Sequence, residues 1–191
     1  MSQIAKSPDS YLLENRIVYL SGDVNTSSAD HVITNLLVLD SIDKKKDISL
    51  YISSYGGSVY AGLAVYDCMQ MIESPVKTFC IGPAFSMAAW LLAAGERGKR
   101  YASPNSRILL HQAWLQTSGT TSDVRIAAEN IIDIEKKMIE ILAFHTRKST
   151  IEIEKSIQRD LWMNAEQAKA FGIIDHVIPL PKLRLSKSRG K

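Results

Sequence analysis

The stretch Val76-Lys-Thr-Phe-Cys-Ile-Gly-Pro-Ala-Phe-Ser86-Met-Ala-Ala-Trp-Leu-Leu-Ala-Ala94 decides the fold. Val76 to Ile81 reads as a short buried strand, rich in β-branched and aromatic residues. Gly82 and Pro83 punctuate it. From Ser86 to Ala94 the composition turns to Ala, Met and Leu, which favour a helix. Ser86 sits where the strand hands over to the helix. In α/β folds that junction lies at the carboxyl edge of the sheet, where sites are built.

The same order recurs on both sides. Strands are expected at Arg16–Leu20, Ile48–Ser53, Arg100–Ala102, Arg107–Leu110 and Ile173–Ile178. A helix capped by Ser27 or Ser28 runs to Asp40, and another capped by Ser58 runs to about Ile72. Short helices follow at Ile151–Gln158 and Asn164–Phe171, the latter capped by Asn164 with Gln167 three residues on and stopped by Gly172. Residues 1–10 lack periodicity, and Gln112–Ser122 carries little regular signal. Repeated strand–helix order predicts a single α/β domain over residues 1–191 with a largely parallel sheet. The longest helix, Asp123–Thr146, is apolar around much of its circumference. Such a helix needs cover on most sides, so a contact between subunits is expected.

Length and composition agree with this. The chain has 191 residues, 46% hydrophobic and 23% charged, ordinary for a globular domain. A disordered chain, a collagen and a disulfide-stapled miniprotein are excluded. The apolar stretch Pro83–Ala94 is too short to span a bilayer, which takes about 20 residues. The first ten residues have no apolar core of a secretory signal. The net charge of +3 comes from residues 181–191, which hold Lys182, Arg184, Lys187, Arg189 and Lys191 and no acid; the rest is slightly acidic. This segment reads as a solvated basic tail, and residues 1–11 as a variable segment; no nucleic-acid or membrane partner is expected. Cys68 and Cys80 lie in apolar segments without a metal-ligand pattern. They read as core residues of a reducing, cytoplasmic compartment, with no metal site.

Three residues bear chemistry. Ser86 begins a helix, where free N–H groups and the positive dipole end suit a developing oxyanion; a serine there also serves as an ordinary cap. His111 ends the strand RILLHQ and is placed to act as a base, or as a hydrogen-bonded edge histidine. Asp160 precedes the apolar pair Leu161-Trp162 and is suited to orient an imidazole, or to cap a helix end. His31, His145 and His176 are weaker candidates. Gly56-Gly57 lets the backbone approach a substrate, but it is not a dinucleotide or P-loop motif. Spacing alone leaves these choices open.

The run Thr78-Phe-Cys-Ile-Gly-Pro-Ala-Phe-Ser86-Met87-Ala-Ala89 resembles the serine signature of the Clp protease proteolytic subunits. Gly98 to Gln112, ending Arg-Ile-Leu-Leu-His111-Gln112, resembles their histidine signature. Gln158-Arg159-Asp160, with Trp162-Met-Asn-Ala-Glu166-Gln-Ala and Phe171-Gly-Ile-Ile-Asp175, resembles the aspartate segment. Ser53-Ser-Tyr-Gly56-Gly57-Ser and Ala61-Gly62 through Tyr66-Asp67 match the glycine segment. The similarity spans about Leu12 to Ile178.

The resemblance implies a serine endopeptidase. Ser86 is then the nucleophile, His111 the acid–base and Asp160 its partner, with the N–H groups of Gly57 and Met87 as the oxyanion hole. No metal or organic cofactor is implied; ATP would be used by a partner ATPase. The implied fold is a crotonase-like spiral of ββα units with the long helix as a protruding handle. The implied assembly is a tetradecamer of two stacked seven-membered rings, with Arg159 at a contact. A Clp-type AAA+ ATPase would feed unfolded polypeptides into it, docking near Tyr51, Met71, Phe79, Tyr101 and Ile178.

The sequence departs from the family's usual residues at Tyr55, Pro83, Phe85, Ala88 and Ala113. Tyr55, Phe85 and Ala88 are expected to crowd the serine or the oxyanion loop, narrowing the side-chain pocket or straining the site. Ser49 stands where the docking pocket usually has an aromatic ring, and the N-terminal segment is short. These departures motivate an alternative, a weakly active or non-catalytic subunit of mixed rings with a second Clp peptidase subunit. A crotonase-like acyl-CoA enzyme would share the glycine-lined oxyanion hole but has no need of the Ser-His-Asp set.

Overall fold

In the computed structural model, residues 7–113 and 117–179 are described. The basic segment 181–191 lies outside them. The strands are β1 (Ile17–Val24), β2 (Ile48–Gly57), β3 (Val76–Phe85), β4 (Arg100–Ala102), β5 (Arg107–Leu110), β6 (Leu161–Asn164) and β7 (His176–Val177). The helices are α1 (Pro8–Glu14), α2 (Thr26–Ile42), α3 (Val59–Met71), α4 (Met87–Ala93), α5 (Thr121–Thr146), α6 (Thr150–Ile157) and α7 (Ala165–Phe171). The expected α/β class and largely parallel sheet are both observed. Strands run β1-β2-β3-β4-β7, all parallel, and only β5 with β6 is antiparallel.

The decisive stretch behaves as a fork. The first part of β3 pairs with β4 through Thr78, Phe79 and Cys80. Its last part pairs with β5 through Pro83, Ala84 and Phe85. Gly82, at φ +79°, lies between the two pairings. The chain then enters α4, every residue of which is buried. A helix that is apolar all round is stable only inside a core, which explains its Ala–Met–Leu composition. Ile48, Leu50, Ile52 and Ser54 fill one face of β2 and are fully buried.

Several boundaries differ from expectation, each for a local reason. β2 and β3 run on to Gly57 and Phe85, because an irregularity after Ile52 lets pairing resume at Ser54–Ala84. Asn25, not Ser27 or Ser28, caps α2: its Oδ1 accepts from the Ser28 N–H at 3.1 Å, and Ser28 Oγ accepts from the Asn25 N–H at 3.0 Å. Reciprocal bonding of this kind satisfies two donors at once. α1 was unexpected and starts with Ser7 as cap and proline in its first turn. Thr120 caps α5, so that helix starts before Asp123. The final strand is only His176–Val177, and β6 was not foreseen. Arg16 stands outside β1 at φ +57°. Its guanidinium donates to the carbonyls of Leu39, Asp43, Lys46 and Asp47, which ties the end of α2 to the start of β2.

α5 is covered only in part. Its buried residues are Met138, Ile139, Ile141, Leu142, His145 and Thr146. The first half has none, and Val124, Ile126 and Ile132 are exposed. Beneath its C-terminal end, Arg100 forms a two-pronged pair with Asp175, Nη2 to Oδ1 at 2.7 Å and Nε to Oδ2 at 2.9 Å. Arg100 Nη1 also donates to the carbonyls of Ala93 and His145.

His145 packs edge-on against Tyr66 and Phe144. Burial, then the charges of Arg100 and Arg97, lower its pKa from 6.5 to about 4. Between those values the unfolded chain binds a proton that the folded chain refuses, so stability rises with pH there. The urea midpoint is therefore expected to fall as pH drops from 6.5 towards 4. In His145→Gln the fall should be shallower, as read by urea titrations across that range.

Candidate active site

Ser86 adopts φ +51° and ψ −132°. A non-glycine residue held there costs about 1–3 kcal/mol and persists only where its surroundings enforce it. Here the Ser86 N–H donates to Leu109 O at 2.8 Å, and Ser86 O accepts from the Ala89 N–H at 2.8 Å. The side chain makes no capping hydrogen bond. A capping role therefore does not explain this serine; among the described residues the hydroxyl has no hydrogen-bond partner on the strained turn between β3 and α4.

The glycines behind it have specific reasons. Gly56 has φ +91°, and a Cβ there would lie 2.6 Å from both Phe85 O and Ser86 Cβ. Gly57 has φ +146°, and its Cβ would lie 2.3 Å from Val24 O. Gly56→Ala is expected to push the serine turn aside. Displacement of about 1 Å lowers rates roughly 100-fold. Labelling of Ser86 by a fluorophosphonate should slow by at least that factor; an unchanged rate would mean that Gly56 does not set the serine.

His111 follows β5 directly. Its Nδ1–H donates to Gln112 O at 2.6 Å. A carbonyl only accepts, so this contact fixes the tautomer and leaves Nε2 as a proton acceptor. Asp160 precedes β6. The antiparallel register pairs Leu110 with Leu161, the residues that border His111 and Asp160 in the chain. Asp160 is exposed and, among the described residues, makes no hydrogen bond or ion pair. Arg159 beside it is likewise exposed and unpaired among them. The contact that an orienting carboxylate would make is thus held by the Gln112 carbonyl.

Gly57, Met87, Ser86 and His111 converge on one cavity of about 90 Å³, with Val59, Trp90, Glu135, Met138 and Ile157 in its walls. A larger cavity of about 470 Å³ lies among α1, β1 and α2 and shares no lining residue with it. Met87 begins α4, whose first N–H groups have no partner within the helix. Tyr55 and Phe85 do not line the Ser86 cavity. They pack edge-to-face on each other, and Phe85 on Trp162, with centroids 5.4 Å and 5.1 Å apart. Phe85 precedes the serine directly and Tyr55 packs against Phe85, so these aromatic side chains stand beside the serine turn and outside the described lining of the cavity.

The chain matches the family model for Clp protease over residues 2–180. It belongs to the Clp protease family. Membership makes peptide-bond hydrolysis its class of activity. No helix among the described residues is long and apolar enough to cross a membrane, and none of their His, Cys, Asp and Glu side chains group as a metal site.

A second surface draws together residues that the family resemblance singled out. Tyr51, Phe79, Tyr101 and His176 occupy successive strands in register. Their rings stack at 4.7, 4.8 and 5.2 Å. Met71 is exposed at the end of α3, and Ile178 follows β7, its N–H on Ala102 O. The sequence reading missed His176 as the end of the ladder and Glu135 as a wall of the Ser86 cavity. The spacing of Glu135 and Met138, three apart on one helix, was the available signal for the second.

Proposed function

We propose that the chain is a serine endopeptidase that cleaves unfolded polypeptides. The observation that carries this is the strained Ser86 with its unspent hydroxyl on the same cavity as His111. Ser86 Oγ attacks the scissile carbonyl while His111 Nε2 takes its proton and then passes it to the leaving amine. The N–H groups of Gly57 and Met87 hold the oxyanion, each worth about 3 kcal/mol. Asp160 acts when the imidazole exchanges the Gln112 carbonyl for its carboxylate, which stabilises the imidazolium. This chemistry needs no metal or organic cofactor.

The uncovered first half of α5 supports its role as a handle between two stacked seven-membered rings. A crotonase-like spiral of ββα units would frame each subunit, and Arg159, unpaired among the described residues beside Asp160, would link catalysis to assembly. The ladder Tyr51–Phe79–Tyr101, with Met71 and Ile178, would dock a Clp-type AAA+ ATPase, which spends the ATP. The His111–Gln112 contact favours a second reading, in which this subunit joins mixed rings with a second Clp peptidase subunit and cleaves little by itself.

Fluorophosphonate labelling tests the proposal. The expected result is one adduct per chain, mapped to Ser86 by mass. Absence of labelling, both alone and with a second Clp peptidase subunit, overturns it.

A further inference from the structure

Tyr55, Phe85 and Trp162 form one aromatic cluster, packed edge to face. Tyr55 is 68% exposed and Trp162 53%. A single exposed ring is ordinary, but two joined through a third make an apolar surface that calls for an occupant. Its place in the fold narrows the choice. Phe85 directly precedes Ser86, Tyr55 directly precedes Gly56-Gly57, and Trp162 stands two residues after Asp160. Phe85 pairs in register with Leu109, and Leu109 with Trp162. The two rings therefore meet across the strand whose Leu109 carbonyl accepts the Ser86 N–H. Each ring is tied, within two residues of chain, to a group that the proposed reaction uses. None of the three lines the Ser86 cavity, so the cluster is a second surface beside the serine turn. Among the described residues, the Tyr55 hydroxyl and the Trp162 indole N–H have no hydrogen-bond partner.

We infer that this cluster is a platform for a large apolar or aromatic side chain of the polypeptide substrate, at a position flanking the scissile bond and distinct from the one that enters the Ser86 cavity. A chain whose scissile carbonyl reaches Ser86 Oγ passes the residues on either side of the serine turn, which brings a flanking side chain against Phe85 and its ring partners. A second copy seated on the rings would lie against the serine turn as well and compete with the substrate. Phe and Leu bury apolar area on such a surface, whereas Asp meets the negative faces of the rings. The Trp162 N–H and the Tyr55 hydroxyl offer donors to the main-chain carbonyls of an extended peptide. The inference rests on the peptidase function proposed above and names its substrate class, unfolded segments with large apolar residues beside the bond that is cut.

The experiment uses quenched peptides with a fixed residue before the scissile bond and one guest, Phe, Leu, Ala, Lys or Asp, placed at each flanking position in turn; mass spectrometry fixes the bond cut. At one flanking position, wild-type kcat/KM is expected to favour Phe and Leu over Ala by roughly fivefold, with Asp last. Tyr55→Ala with Trp162→Ala should bring the Phe-to-Ala ratio at that position near one, while Trp162→Phe, which keeps a ring, should retain most of it. Fluorophosphonate labelling of each variant checks that Ser86 is still presented. The same peptides are titrated by fluorescence anisotropy onto Ser86→Ala, with and without the paired aromatic substitutions, which reads the preference without turnover. A Phe preference in binding that those substitutions remove, with no turnover by the wild type, would sink the peptidase reading and sustain the platform. Turnover with no Phe or Leu preference at any flanking position, or a preference for Lys in their place, would overturn the inference. So would an unchanged ratio in the paired variant; loss of its assembly in sedimentation would then mark the cluster as a contact between copies.

Discussion

Ser86→Ala is expected to abolish peptide cleavage, with kcat falling by about a millionfold, towards what binding and the oxyanion donors alone supply. The loss would be large because, in the proposed mechanism, the hydroxyl forms the covalent intermediate, and no other side chain in the described walls could replace it. The described walls of the cavity hold no Cys, Thr or second Ser. The fold should tolerate the change. The Ser86 side chain makes no capping bond, and both backbone bonds at this residue are kept by alanine. Thermal unfolding should therefore stay close to wild type while turnover vanishes. His111→Ala should cost nearly as much, and Asp160→Asn about 10⁴-fold, because the amide favours the wrong imidazole tautomer. Cleavage that survives Ser86→Ala would remove the nucleophile assignment. Full activity of Asp160→Asn would mean that the Gln112 carbonyl is the working partner of His111.

The second large effect is on stability. Asp175→Ala is expected to destabilise the fold by about 3–5 kcal/mol, the usual consequence of stripping a buried charge of its partner. The Arg100 side chain is 5% exposed and that of Asp175 18%. Without the carboxylate, Arg100 keeps only the carbonyls of Ala93 and His145 for its Nη1. The Gly98 N–H also loses its acceptor, Oδ2 at 2.8 Å. Replacing both members by apolar residues, Arg100→Met with Asp175→Leu, should cost less than Asp175→Ala alone, since no orphaned charge remains. Denaturant titrations of the three variants would show it, and equal losses would count against the argument. The pair also carries a pH signature. Burial alone would raise the Asp175 pKa, but Arg100, with the N–H groups of Arg100 and Gly98, holds it below 3.8. Its contribution is thus fully present above the unfolded value and is lost as pH falls through the lower folded one.

The two predictions concern different layers of one design. The Arg100–Asp175 pair locks β4, the segment before β7 and the end of α5 together. β4 and β5 flank the forked β3 that delivers Ser86. Neither effect requires the other, so the catalytic variant and the stability variant should separate cleanly in assays of turnover and unfolding.

Much of this was legible in the chain. Alternation and composition were enough for β3 and α4, because short-range preference and burial agree there. Caps at Ser58 and Asn164 were read correctly, since a cap is a contact between residues three apart. Ser86 at a strand–helix junction, His111 at a strand end and the glycine pair were all visible as local signals. The family motifs joined them in order.

The site itself was not local. β6 is four residues long and offers no alternation long enough to declare a strand, yet it pairs with β5 so that Leu110, just before His111, lies opposite Leu161, just after Asp160. The φ of Ser86 follows from a fork in β3 and a bond to Leu109, neither of which spacing reveals. Glu135 became part of the cavity only when α5 folded back over α4. Sequence by itself determined the α/β class, the caps at Ser58 and Asn164 and the candidate residues at the strand ends, because those rest on preferences and contacts within a few positions. Tertiary structure alone decided the strain at Ser86 and the shared cavity of Ser86 and His111, because each depends on pairing between segments far apart in the chain.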